Sequence, residues 1–461
     1  MRKLLFLLNI LLPVIVIAQS PFPENSPLML HWQYVGDENF SSGQTSNLSF
    51  AFSPADSLPY VAFASEHFSW KASVMKFDGS GWVYVGPGGF STASAFYTSL
   101  AFDMAGVPNV AFRDEAYAES ASVMKFDGTN WGYVGNAGFS YTQADFTSLV
   151  FNPRDSMPYV AFQEYLNSRK ATVMKFNGTN WVAEGKRAFS SGAADFINLA
   201  INKANGQPYV VFSDEGSEFK ASVMTFEGNS WVYVGNAGFS PSRVSLPRLV
   251  FSPGNEPYVT FSDCANSYKA SVMKFDGTGW INVGDADISP DTSYSPNLAF
   301  DPAGNPWLAY SDRVVSFKAT VKEFNGTLWT TVDHAGISQG VIDFPSLAFG
   351  PGGTPYVAFM DYGVSGASVM KYDNGSAGIN TLQYEDFTLY PNPAAGKVTL
   401  EIQGSEKPSM LTVLNVEGRE IMQTEISELK SQLDISSLTS GIYFVKLSNS
   451  RSVIVRKLIK Q

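Results

Sequence analysis

Apolar residues between positions 32 and 372 fall in short runs, each closed by Gly, Pro, Asn or Asp, and the same four runs return seven times. One run opens on Trp32, Trp82, Trp131, Trp181, Trp231, Trp280 and Trp329, at spacings of 49 or 50 residues. A second, of Leu-Ala-Phe type, ends near Phe52, Phe102, Phe151, Ile201, Phe251, Phe300 and Phe349. A third begins at Pro59, Pro108, Pro158, Pro208, Pro257, Pro306 and Pro355 and reads Pro-Tyr-Val-Ala-Phe or close to it. The fourth, Ala-Ser-Val-Met-Lys-Phe, ends at Phe77, Phe126, Phe176, Phe226, Phe275, Phe324 and Tyr372. Runs this short, apolar on both sides and bounded by turn residues, are strands of sheets covered on both faces. No segment has the period of a long helix.

Four strands in about fifty residues is the period of a β-propeller blade. An open solenoid is the competing architecture, but its coils are shorter and its ends need caps. The turns decide how strands group. Leu-Ala-Phe leads to Pro-Tyr through tight turns such as Asp301–Asn305, and Met-Lys-Phe leads to Trp through Asp127–Asn130, a hairpin signal. About a dozen residues separate Val-Gly from the next Leu-Ala-Phe, so this link crosses between blades. The Trp strand is then outermost in each blade. Trp32–Gly36 has no inner strands before it, so it should close the ring beside Val369–Tyr372 and leave no bare edge. The fold expected is all-β: a seven-bladed propeller of four-stranded blades over residues 27–378, then a small Ig-like β-sandwich over 384–461.

The two ends speak of export. Arg2 and Lys3 precede a fourteen-residue apolar run, Leu4–Ile17, and a small residue, Ala18. That is the form of a secretory signal peptide over residues 1–18, and it falls short of the ~20 residues a bilayer span needs. From Tyr384 the repeat stops. Turn-bounded apolar segments follow at Val398–Ile402, Leu411–Val416, Gly441–Leu447 and Val453–Ile459. The tail opens on Tyr390-Pro391-Asn392-Pro393, has a Val-Glu-Gly turn ending at Gly418, and continues through Leu438–Phe444, with Gly441 and Tyr443, to a basic last strand with Arg456, Lys457 and Lys460. This order of motifs resembles the C-terminal sorting domain of type IX secretion cargo. The resemblance implies handling by that machinery in a Gram-negative bacterium, transport across the outer membrane, tail removal, and surface attachment or release.

Composition narrows the chemistry. A net charge of −11 argues against a nucleic-acid partner. One cysteine, Cys264, excludes an internal disulfide, and three histidines leave little for a metal centre. No motif of a nucleophile elbow, zinc protease, phosphate loop or calcium loop occurs, so neither a metal nor a cofactor is expected. The repeated Trp reads as packing. The loops between the second and third strands of each blade differ in sequence, and variable loops on a rigid scaffold are where binding is found. Each opens with a carboxylate in six blades: Asp114, Glu164, Asp214, Asp263, Asp312 and Asp361, with Ser65 in the first. Lys170, Lys220, Lys269 and Lys318 stand six residues later, which suggests cross-hairpin ion pairs. The alternative is a ring of carboxylates at the channel mouth, able to bind a cation or act on a glycan. Trp70, Tyr117, Tyr165 and Tyr362 in the same loops are candidate stacking surfaces, and Asp56-Ser57-Leu58 and Asp155-Ser156-Met157 resemble bacterial O-glycosylation sites. The reading is a secreted or cell-surface propeller binding an extracellular carbohydrate or protein through this face. The alternatives are a carbohydrate-active enzyme and a scaffold or adhesin.

Overall fold

The computed structural model describes residues 31–363, 365–373, 387–402, 410–415, 419–426, 428, 430–448 and 453–461. The segment read as an export signal lies outside them, as does Gly418. Seven four-stranded antiparallel sheets follow one another in the order the turns imply, each running from an inner strand to an outer Trp strand. We number the blades by their inner strands: Thr45–Phe52, Ala95–Phe102, Ala144–Phe151, Ala194–Ile201, Val244–Phe251, Ser293–Phe300 and Ile342–Phe349. Blade seven takes its outer strand from the chain's beginning. His31–Tyr34 pairs antiparallel with the strand Gly366–Asp373, Trp32 opposite Tyr372 and Tyr34 opposite Met370. The ring is closed as expected.

Contacts between blades explain why each motif recurs. Five crossings place a phenylalanine flat on the next Trp, from Phe40 on Trp82 to Phe239 on Trp280, with ring centroids 4.0–4.3 Å apart. Six of the seven Trp Nε1–H groups donate to a backbone carbonyl of the preceding crossing, as Trp181 does to Val134 at 2.7 Å. Trp32, at the closing interface, has no such partner. The serine after each crossing phenylalanine or isoleucine accepts a backbone N–H at 2.8–3.0 Å in all seven blades, from Ser41 with Ala367 to Ser338 with Ala319. The Val-Gly glycines have the conformation only glycine adopts cheaply. At Gly86 (φ +73°) an added Cβ would also sit 2.7 Å from the Phe126 ring.

The inner strands line a central channel, and each carries a β-bulge. In blade one, Ser46 pairs with Ala64 and Ser49 with Ala62, so two residues oppose one. The first bulged residue is left-handed in every blade: Asn47, Tyr97, Phe146, Phe196, Leu246, Ser295 and Phe344, with φ from 47° to 58°. For bulky residues that backbone is a genuine outlier. Its sevenfold recurrence ties it to the architecture.

In the tail, one sheet combines Phe387–Tyr390, Lys397–Ile402 and Lys430–Asp434. A second combines Glu420–Glu425, Met410–Leu414, Gly441–Ser448 and Val453–Lys460. Val398, Leu400, Leu411, Val413, Val445 and Leu458 form the buried layer between them. Asn392 shows what the Pro-Asn-Pro motif does. Its amide donates to the Lys457 carbonyl at 2.7 Å and accepts from Ile459 N–H at 2.8 Å, clamping the opening to the last strand. The Tyr443 hydroxyl donates to the Thr439 carbonyl at 3.0 Å. Pro391 and Pro393 flank the clamp, Gly441 starts its strand and Lys457 is exposed.

The inter-blade clamp makes a graded prediction. Trp181→Phe keeps a ring against Phe139 but strands the Val134 carbonyl, and should cost about 1–3 kcal/mol. Trp181→Ala should cost about 3–5 kcal/mol. Urea unfolding followed by circular dichroism checks the order; a Phe variant as stable as the unmodified protein would show that the N–H bond contributes nothing, and equal costs that the stacked ring contributes nothing.

Candidate functional site

The crossings and the loops between the second and third strands lie at one end of the ring. In sequence these loops vary, but in backbone they are alike. Six fold as a single 3₁₀ turn, from Glu66–Phe68 to Arg313–Val315, followed by two left-handed residues such as Ser69 and Trp70 or Ser316 and Phe317. A helical turn starting straight from a strand needs an acceptor for its free N–H groups. The loop-opening residue supplies it. Ser65, Asp114, Asp214, Asp263, Asp312 and Asp361 each accept the N–H two residues on, at 2.8–3.2 Å. Glu164 is too long for that bond; its Oε1 accepts from Arg187 Nε at 2.6 Å instead.

These carboxylates are buried within the loops. Asp114 also accepts the Tyr133 hydroxyl at 3.0 Å, and its pKa is raised by burial against the pull of those hydrogen bonds. Asp361 Oδ2 is buried with no partner among the described residues. The lysines do not pair as the spacing suggests: Lys269 reaches Asp287 at 3.1 Å. Of the loop aromatics, Trp70 is half-buried, while Tyr117, Tyr165 and Tyr362 are exposed. Tyr117 leans edge-on against Tyr133 at 5.6 Å.

The channel mouth itself is built from residues the loop comparison passed over. The second residue of the inner strand is a carboxylate in three blades: Asp145, Asp195 and Asp343. Each faces the residue just before the loop carboxylate of the preceding blade. Arg113 donates to Asp145 at 2.5 Å and lies over the Phe96 ring, 4.5 Å from its centroid. Gln163 donates to Asp195 at 2.7 Å, and Arg169 also pairs with that carboxylate. At the junction of blades six and seven the corresponding residue is Ser311, and no cation among the described residues fills the place. A groove of about 340 Å³ opens there, walled by Tyr294, Phe317, Val341, Phe344 and Tyr362, with Asp343 among its lining. Tyr294 and Tyr362 keep 44% and 55% of their surface exposed, so rings are presented and not merely packed. Asp343 accepts from Phe344 N–H at 2.8 Å and Ser295 Oγ at 3.2 Å, yet burial holds its pKa above the usual carboxylate range. Of the loop aromatics that the sequence offers, Tyr362 and Phe317 line this groove, and none of the loop carboxylates does. A signal was available: for the three blades with a carboxylate at the second inner-strand position, the residue before the preceding loop carboxylate is Arg113, Gln163 and Ser311.

Among the described residues, no group of three or more His, Cys, Asp or Glu is placed to hold a metal ion. Nor is any helix there long and apolar enough to cross a membrane.

Residues 388–461 match the family model described as a secretion system C-terminal sorting domain. The chain is type IX secretion cargo. Its tail directs it to the cell surface or the extracellular space. No curated protein matches the sequence. Among solved structures, the chain is similar to AofleA from Arthrobotrys oligospora, at 11% identity and a TM-score of 0.43 over 66% of this chain and 90% of that one. It is similar to the SapL1 lectin in complex with alpha methyl fucoside, at 16% identity and 0.43 over 63% and 96%. A PL25 ulvan lyase gives 10% identity and 0.47 over 73% and 95%.

The isolation of Asp343 is testable through pH. Its raised pKa means the folded state holds the proton more tightly than the unfolded chain. Stability therefore falls as pH rises from the unfolded value, about 3.9, through the folded one, and neutral pH carries the full penalty. Asp343→Asn keeps the acceptor oxygen and removes the charge. Its melting temperature should exceed that of the unmodified protein at neutral pH and converge with it in acid, and parallel pH profiles would refute the assignment.

Proposed function

We propose that this exported propeller binds an extracellular carbohydrate at its crossing-loop face, with a sugar ring seated in the groove between blades six and seven. One observation carries the reading: Ser311 stands where Arg113 and Gln163 fill the equivalent junctions, leaving an aromatic-walled recess with a carboxylate that no cation neutralises. Apolar walls with a few placed polar groups are the usual make-up of a small-molecule site. The rings of Tyr294, Phe317 and Tyr362 offer faces for stacking, and Asp343 offers an acceptor for sugar hydroxyls. The negative chain, at −11, disfavours sulfated polymers and favours neutral ligands.

Binding is favoured over turnover by the state of the other carboxylates. Glycoside hydrolysis needs two carboxyl groups flanking one bond. At this mouth Asp145 and Asp195 are tied to Arg113 and to Arg169 and Gln163.

A glycan array probed with the full chain, with a reducing-sugar assay on every glycan retained, tests the reading. We expect retention without sugar release, weakened at least tenfold, about 1.4 kcal/mol, by Tyr362→Ala or Tyr294→Ala. Sugar release would establish an enzyme. Silence on the array, or binding indifferent to both substitutions, would overturn the groove as the site.

A further inference from the structure

Deeper in the channel, past the left-handed ring, the fifth residue of each inner strand forms a polar belt: Ser49, Ser99, Ser148, Asn198, Arg248, Asn297 and Ser346. An inner strand is a sheet edge, and its channel-facing N–H groups need acceptors. The belt supplies them across blade boundaries. Ser49, Ser99 and Ser148 accept from Leu100, Leu149 and Leu199, and Asn198 and Asn297 accept from Leu249 and Leu347, all at 2.8–3.0 Å.

Arg248 breaks this pattern. A guanidinium has five donors and no acceptor, so it has nothing to offer Leu298 at the corresponding place. It stands on the channel wall, partly exposed to the channel space, and desolvation lowers its pKa with no contribution from any carboxylate. It makes no hydrogen bond, ion pair or ring contact with any described residue, and its side chain lines a channel cavity of about 320 Å³. That is far more than the ~10–15 Å³ one water requires. A guanidinium that faces this space without a protein partner can pair with an anion that enters it.

The neighbours of Arg248 in the belt are also exceptional. Four of the other positions are serine, but Arg248 stands between Asn198 and Asn297. Each asparagine uses Oδ1 to accept from the next blade. The Nδ2 of Asn297 donates to no described residue, and that of Asn198 makes one long bond, 3.4 Å, to Ser148. One arc of the belt therefore presents donors only, beneath a collar of Tyr97, Phe146, Phe196, Leu246 and Phe344. Such a collar lowers the local dielectric and strengthens attraction for a negative group.

We propose that the channel is a binding site for a single carboxylate group, held by the planar donor fork of Arg248 with the side-chain amide of Asn297 beside it. A guanidinium matches a carboxylate by two parallel hydrogen bonds. Asp343, the mouth carboxylate with no cation beside it, and the net charge of −11 repel polyanions, so the site takes one charge, from a free organic acid or from the acid group of a larger molecule. It does not depend on the rim groove binding sugar.

Thermal unfolding and calorimetric titration of the full chain test this, with acetate, glucuronate and chloride as probes at fixed ionic strength. Acetate or glucuronate should raise the melting temperature saturably, and chloride should not. A response to acetate identifies free small acids as sufficient, and a response to glucuronate alone identifies a sugar acid; either supports the site. Arg248→Met should melt no lower than the unmodified chain without probe and lose at least tenfold in carboxylate affinity. Asn297→Ser restores the residue used in four other blades, keeps an acceptor for Leu347, and should weaken binding about threefold to tenfold even if Arg248→Met fails to fold. An equal response to chloride, no response to either carboxylate, or binding that survives both substitutions overturns the proposal.

Discussion

Sheets stacked around a ring must satisfy, through their neighbours, the polar groups their own strands leave over. Most blades here do so at three radii. At the rim, the Trp indole N–H reaches a carbonyl of the preceding crossing. At the crossing, a buried serine accepts an N–H released where two strands part. On the channel side, a serine or asparagine accepts from the edge of the next inner strand. The apolar layers between blades supply most of the burial, but they are not directional. These bonds set where each blade stands, and so fix the ring at seven once the first strand joins the last sheet.

The same dependence makes departures from symmetry informative. Where a position exists to satisfy a neighbour, a residue unable to do so leaves something open. Ser311 is too short to reach the carboxylate that Arg113 and Gln163 reach in their blades, and a groove with an isolated Asp343 results. Arg248 cannot accept the hydrogen bond its position exists to accept, and a cation with no partner among the described residues faces the channel. Both lie in the later blades, on or beneath the crossing-loop end. Blades two and three, by contrast, close their junctions with Arg113–Asp145 and Arg169–Asp195. One scaffold thus carries a packed side and an open side without altering its strands.

The architecture was legible because every signal for it is local and repeated. Trp spacing gave the blade count, turn lengths gave strand order, and the unaccompanied Trp32 gave the closure. The tail was legible for a different reason: Asn392, Tyr443 and Gly441 hold motifs whose order is specific. The site was less so. Loop carboxylates such as Asp214 attract attention because they recur, but they recur because every loop starts with a turn that needs a cap. Tyr362 was found as an exposed ring, while Asp343, Ser311 and Arg248 sit inside strands, where the repeat looks most uniform.

The order and pairing of strands follow from the chain itself, since turns, periodicity and apolar runs act between near neighbours and survive in one dimension. Which side chains meet across a blade boundary does not, because partners some fifty residues apart are brought together only by closing the ring. The left-handed bulge that aims Phe344 and Leu246 toward the channel leaves no mark in residue type. Neither does the lack of a partner at Arg248: the absence of a counter-charge is a property of the enclosed space around it, and that space exists only once all seven sheets are in place.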